Sequence, residues 1–80
     1  MKKEAKAFSS QVIQRGAVGD DVIELQARLQ YIGFYSGRID GAFGWNTYWA
    51  VRNFQSKFGL PVDGMAGATT KQKADKRIQV

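Results

Sequence analysis

The chain of 80 residues contains no cysteine and no histidine. Without cysteine there is no disulfide framework and no thiolate metal site, so packed helices must supply the stability. Without either residue, the usual nucleophile–base pairs and zinc-ligand sets are also gone, and neither a metal nor a cofactor is expected. Long apolar runs are missing too. None approaches the roughly 20 residues that cross a bilayer, so no membrane span is expected. A chain of this length makes one small domain, near the size at which a single core only just holds together.

Acidic charge is the next shortage. The net charge of +5 suggests nucleic acid at first sight, but its distribution argues otherwise. Between positions 7 and 70, Arg15, Arg28, Arg38, Arg52 and Lys57 are balanced one for one by Asp20, Asp21, Glu24, Asp40 and Asp63. The excess lies at the ends, in Lys2, Lys3 and Lys6 less Glu4, and in Lys71, Lys73, Lys76 and Arg77 less Asp75. A nucleic-acid module gathers its cations into a stripe on the folded surface, so nucleic acid is not expected as a partner.

What the chain does have is an eight-residue phrase used twice. Asp40-Gly41-Ala42-Phe43-Gly44-Trp45-Asn46-Thr47 and Asp63-Gly64-Met65-Ala66-Gly67-Ala68-Thr69-Thr70 both read D-G-x-x-G-x-x-T, 23 residues apart, each preceded by an apolar β-branched residue, Ile39 or Val62. Repetition at a fixed offset means one supersecondary unit used twice. The aspartate can accept hydrogen bonds from amides one or two residues ahead and so stabilise a tight turn. The glycines allow positive φ or close approach of backbone. The closing threonine is expected to cap the following helix. Asp40 and Asp63 are therefore read first as turn-formers, with ligand contact by at least one of them as the alternative.

Around these loops the pattern predicts three helices. Val12 to Gly16 is short and extended or turn-forming, with Val12 and Ile13 as apolar anchors, and Gly16 and Gly19 bracket a turn. Asp21-Val22-Ile23-Glu24 has the form of a capping box. Val22, Leu25, Leu29 and Ile32 then recur at helical spacing until Gly33, read as a left-handed cap. Phe34 to Phe43 is a loop rich in glycine and aromatics, where recognition residues are expected. Asn46 or Thr47 begins a second helix with Thr47, Ala50, Val51, Phe54 and Phe58 on one side. Gly59 stops it, Leu60-Pro61-Val62 runs extended, and a third helix starts near Thr70 with only Ala74 and Ile78 as apolar contacts. The expected fold is all-α, a compact three-helix bundle with duplicated D-G-x-x-G-x-x-T loops. Residues 1–10 are read as a flexible tail, 11–74 as the domain, and 75–80 as a linker or truncated end. Ala5-Lys6-Ala7 resembles a signal-peptidase site but lacks the preceding apolar stretch. Either a leader has been trimmed and replaced, or the resemblance is chance.

Gly19-Asp20-Asp21-Val22, Leu25-Gln26, Leu29, Gly33-Phe34-Tyr35, Ile39 to Gly44, Thr47, Ala50-Val51, Phe54-Gln55, Gly59-Leu60, Val62 to Gly67 and Thr70, in this order, resemble the peptidoglycan-binding domain of the first type. The resemblance covers roughly residues 12–74. It implies a three-helix, non-catalytic module that binds glycan strands or muropeptides. Phe8-Ser9, Gln11 to Gly16, Phe43-Gly44-Trp45 and Thr47-Tyr48-Trp49 narrow it to the modules of spore cortex-lytic enzymes of endospore-forming bacteria. That implies an exported, monomeric domain in the cell wall or the spore cortex and coat region, attached to a catalytic domain and acting in germination. One departure is Ala74, where the family usually has a large aliphatic residue closing helix three.

Sugar rings present apolar C–H faces to aromatics, and their hydroxyls and amides suit fixed planar donors and acceptors. Tyr35, Arg38, Asp40, Phe43, Trp45 and Asn46 fall within twelve positions of one loop, joined by Tyr48, Trp49 and Arg52 on helix two. Phe34 and Phe43 are read mainly as core. Tyr35 and Trp45 stand between core cover and ligand contact. Trp49 points away from the core side, covered by Val12 and Ile13, contacting sugar, or docking on another domain. Arg52 is read as a solvated cation or a partner for an acidic stem-peptide group, and Gln26 and Gln55 as partners for loop backbone. Glycoside hydrolysis needs two carboxyl groups at a defined separation, one with a raised pKa. With Glu24 assigned to capping and the loop aspartates to turns, no catalytic residue is expected. The alternative to wall binding is a protein-interaction or autoregulatory domain docking onto a catalytic domain.

Overall fold

The protein was analysed as a computed structural model that describes residues 12–78. The expected tail over 1–10 and its signal-peptidase-like tripeptide lie outside the described residues. Among the described residues three helices, α1 (Asp20–Tyr31), α2 (Trp45–Lys57) and α3 (Ala68–Ile78), account for the regular structure, and α1 packs against both of the others. Among the described residues the only β pairing is two isolated antiparallel bridges, Ile13 with Ala66 and Val18 with Ala42. The all-α expectation holds. Helical backbone continues over 75–78, positions assigned from sequence to a linker or truncated end.

The helix starts differ from the expected caps. α1 begins after Gly19, whose φ of 124° suits only glycine, and no side chain caps it. Asp20 and Asp21 instead sit in the first turn, where negative charge complements the helix dipole. Glu24 reaches forward to Arg28 one turn on, not back to a cap. α2 likewise begins after Gly44 with no side-chain cap, so the helix starts at Trp45 and Thr47 lies inside its first turn, buried. The capping-box and threonine-cap readings are both corrected by one fact: glycine backbone makes these entrances, which leaves the threonine hydroxyls free to face inward.

The helix ends follow expectation. After α1, Phe34 N donates to Leu29 O and Gly33 N to Gln30 O. After α2, Leu60 N donates to Gln55 O and Gly59 N to Ser56 O. These are paired Schellman closures, each with its glycine at positive φ. Val22, Leu25 and Leu29 of α1, Ala50, Val51 and Phe54 of α2 and Ala74 of α3 form the core together with Ile13, Tyr35, Phe43 and Ala66. Phe34 meets Phe54 edge-on at 5.5 Å and Phe58 at 6.1 Å. Val12, expected as a second anchor, is exposed, because the bridge to Ala66 turns only Ile13 inward.

Candidate functional site

Each repeated loop is built around one buried glutamine. Gln26 Oε1 accepts the Gly41 amide at 3.0 Å. Its Nε2 donates to Asp40 Oδ1 at 3.1 Å, Ala42 O at 3.1 Å and Thr47 Oγ1 at 3.0 Å, with the Tyr35 hydroxyl at 3.4 Å. Two amide protons are shared among these oxygens. Gln55 repeats the arrangement. Its Oε1 accepts the amides of Asp63 and Gly64 at 3.1 and 3.0 Å, and its Nε2 donates to Asp63 Oδ1, Met65 O and Thr70 Oγ1 at 2.8, 2.9 and 3.1 Å. The reading of both glutamines as partners of loop backbone is correct. It missed that each also holds the aspartate and the threonine of the repeat.

The aspartates close their own turns. Asp40 Oδ1 accepts the Ala42 amide at 3.0 Å, and Asp63 Oδ1 the Met65 amide at 2.9 Å. The Ala42 amide, seconded by Gln26, holds the Asp40 carboxyl below the ordinary carboxylate range. The Met65 amide does the same for Asp63, outweighing the opposing effect of burial, with Gln55 assisting. A general acid needs a shift in the opposite direction. With Glu24 paired to Arg28, these acids serve the fold.

The proposed ligand-binding residues separate into three groups. Tyr35 and Phe43 are inside the protein, 6 % and 2 % exposed, in keeping with Phe43 as core and Tyr35 as core cover, which leaves little of either ring for a ligand. Tyr35 is drawn in because its hydroxyl donates to Arg38 O at 2.5 Å and its ring lies against Gly37, where a Cβ would sit 3.0 Å away. Phe43 is drawn in by backbone pairing on both sides, Gly16 N to Phe43 O and Phe43 N to Ala17 O. Arg38 and Asp40 lie exposed at the first corner, close enough for the arginine charge to act on the carboxylate.

The remaining residues form a continuous face on α2. Trp45 and Trp49 are 58 % and 53 % exposed, so neither Val12 nor Ile13 covers Trp49. Tyr48 lies between them, edge-on to each at 5.2 Å. It is half-buried because its ring rests where Gly64 has no side chain. Arg52 lies 5.4 Å from the Trp49 ring centre and 5.8 Å from that of Tyr48, and Arg15 stacks on Trp45 at 4.2 Å. Beside Trp49 runs a shallow groove of about 210 Å³, bounded by Ser36 and Gly37 on the loop and by Asn46, Trp49 and Asn53 on α2. Half-exposed rings next to two side-chain amides suit a saccharide. Asn53 was legible from sequence, one turn beyond Trp49. Arg15 was not, because it reaches Trp45 only through the pairing of Gly16 with Phe43.

Among the described residues no group of three metal-ligating side chains occurs, and no helix is long and apolar enough to cross a membrane. The chain is 74% identical over 70 residues to the spore cortex-lytic enzyme of Bacillus cereus, covering 88% of this chain and 27% of that protein. It is 75% identical over 67 residues to the spore cortex-lytic enzyme of Bacillus subtilis (strain 168), covering 82% and 22%. It thus spans about a quarter of the length of these relatives. The crystal structure of the SleB N-terminal domain superposes with a TM-score of 0.89 at 71% identity, over 91% of this chain and all of that one. The family model for the peptidoglycan binding domain matches residues 18–73, and the chain belongs to that family.

Proposed function

We propose that this domain holds a cortex-lytic catalytic domain on spore-cortex peptidoglycan, seating a glycan strand across the exposed face of α2. The observation that carries the reading is the pair of tryptophans one helical turn apart, each more than half exposed, beside a groove edged by Asn46 and Asn53. Large rings are left in water at such density mainly where something is to be bound. The relatives named as spore cortex-lytic enzymes supply the substrate, and the three-quarters of their length beyond this domain supplies the catalysis. Peptidoglycan lies outside the cytoplasm, so the domain acts after export, in the cell wall or the cortex and coat region, as a monomer tethered to its enzyme. Each contact is weak because the surface is small. The repeating polymer and the tether raise the effective concentration of catalyst at its bond.

Sedimentation with purified cortex sacculi tests this. The chain is expected to co-sediment, with Trp49→Ala and Trp45→Ala each reducing the bound fraction several-fold. Tyr31→Ala, on the exposed outer face of α1, should leave it unchanged. Undiminished retention of both tryptophan variants would remove α2 from the site. Failure of the parent chain to sediment, with binding to the catalytic domain instead, would turn the reading to docking.

A further inference from the structure

Two cations border the aromatic row, and among the described residues neither has an acidic partner. Arg15 stacks on Trp45 at one end, and Arg52 leans over Tyr48 and Trp49 at the other. Among the described residues neither guanidinium takes part in an ion pair or a side-chain hydrogen bond. Three acids of the domain are committed elsewhere, Glu24 to Arg28, Asp40 to the first corner and Asp63 to the second. α2 itself contains no Asp or Glu between Trp45 and Lys57. A neutral sugar chain would use the rings and the amides but gives two guanidiniums no counter-charge.

Resting on the wall-binding reading, we propose that Arg15 and Arg52 bind the carboxylates of the peptide stems, so that the domain prefers peptide-bearing glycan to bare glycan. The guanidinium offers a planar fork of N–H donors matched to a carboxylate, and stacking on a ring leaves those in-plane donors open. The rings hold the saccharide by its C–H faces, and the cations at either end of the row take the acidic groups that branch from it. Charge complementarity alone selects this partner.

Calorimetric titration of the whole chain with two probes separates the contributions. One probe is a disaccharide repeat carrying a stem peptide with free carboxylates, and the other is the same saccharide with the stem removed. The parent chain is expected to bind the peptide-bearing probe several-fold more tightly. Arg15→Gln and Arg52→Gln should each lose about two- to fivefold on that probe only, the range for exposed ion pairs. The double variant should bind both probes alike, and raising salt should erase the parent's preference. Trp49→Ala should weaken both probes together, and its failure to do so would count against α2 as the wall-binding face, while the arginine variants still decide the stem-peptide preference. Equal affinity of the parent chain for the two probes would overturn the proposal. So would loss of both probes in the arginine variants, since that would make the arginines mere supports for the tryptophans. A preference kept intact after amidation of the stem carboxylates would also overturn it.

Discussion

The two corners of this protein are the same device in different settings. In each, a glutamine takes the amide of the D-G glycine at 3.0 Å, an aspartate takes the amide two residues on, and a threonine in the next helix takes a glutamine proton. Gly41 and Gly64 even share a φ of 75°. The differences lie in what surrounds the device. The first glutamine is 14 residues ahead of its aspartate and the second only 8. The longer first connection carries Ser36 and Gly37, which line the groove. Downstream, Trp45, Tyr48 and Trp49 are matched at the same offset by Ala68, Lys71 and Gln72. The frame occurs twice, and only the first copy carries the exposed aromatic row of the proposed site.

The largest effects are expected where the frame itself is cut. Gln55→Ala would strand the buried amide of Gly64, the amide of Asp63 and the Met65 carbonyl. Buried polar groups left unpaired cost about 1–3 kcal/mol each, so a loss of about 3–4 kcal/mol is expected in urea denaturation. Gln26→Ala should cost somewhat less, because its Oε1 takes one backbone amide where Gln55 takes two. A ranking with Gln26 clearly the more costly would show that the corners are not energetically alike.

Next come the corner glycines, whose neighbours differ. Both φ values disfavour any side chain, by about 1–2 kcal/mol. At Gly41 an added Cβ meets Ile23 Cγ1 at 3.1 Å, a contact that a small shift relieves. At Gly64 it meets Tyr48 Cε1 at 2.3 Å, which the ring cannot tolerate. Gly41→Ala should therefore lower stability by about 1–2 kcal/mol, and Gly64→Ala by about 2–3 kcal/mol with overpacking added. Only Gly64→Ala should also weaken sacculus binding, because Tyr48 is wedged between the two tryptophans. Equal loss of binding in both would mean that the row does not depend on this seat.

Much of this frame was readable in the residues. The doubled phrase, the three helices and the glycine closures after Ile32 and Phe58 all follow from spacing and from the few residues that accept positive φ. The clamp was readable only in its backbone half, and the glutamines' hold on the aspartate and the threonine was not. Gln26 and Gln55 are 29 residues apart while the loops they hold are 23 apart, so the fixed offset that exposes the loops hides the glutamines. Thr47 and Thr70 misled for a related reason. A threonine near a helix start is a good cap by default, and only the folded packing shows that glycine has taken that role. Tyr35 was ambiguous because its ring could face either way until Gly37 left it a place inside.

Lys71 probes the same difference more gently. It occupies the position that Tyr48 holds in the first copy, yet it is 4 % exposed. Burial pushes its ammonium below the ordinary lysine value of 10.5, against the pull of Asp21. A lysine with a lowered folded pKa binds its proton less well than the unfolded chain does, so stability rises as pH climbs from the lowered pKa toward 10.5. Lys71→Met should therefore lose the parent's rise of stability with pH, while its net effect at pH 7 sets relief of that burial against loss of the Asp21 attraction. The parent should gain on the variant as pH approaches 10. A variant less stable than the parent at pH 7 would show that the charge is needed there.

The smallest effect expected is a difference in salt response between the two aspartates. Both folded carboxyls lie below their ordinary value of 3.8. Their contribution is therefore complete above that value and is lost as pH falls through the lower, folded one. Asp40→Asn and Asp63→Asn should each flatten the acid limb of the stability curve without much change at pH 7, since the amide oxygen still accepts the turn hydrogen bond. The causes are not identical, however. The Arg38 charge contributes to Asp40, whereas hydrogen bonds alone hold Asp63 down. Salt screens exposed charges and leaves hydrogen bonds largely intact. Raising ionic strength should therefore move the Asp40 titration, followed by carboxyl NMR, back toward its ordinary value while that of Asp63 stays where it is. Equal movement of both would mean that the two turns are held by the same forces and that Arg38 adds nothing to the first.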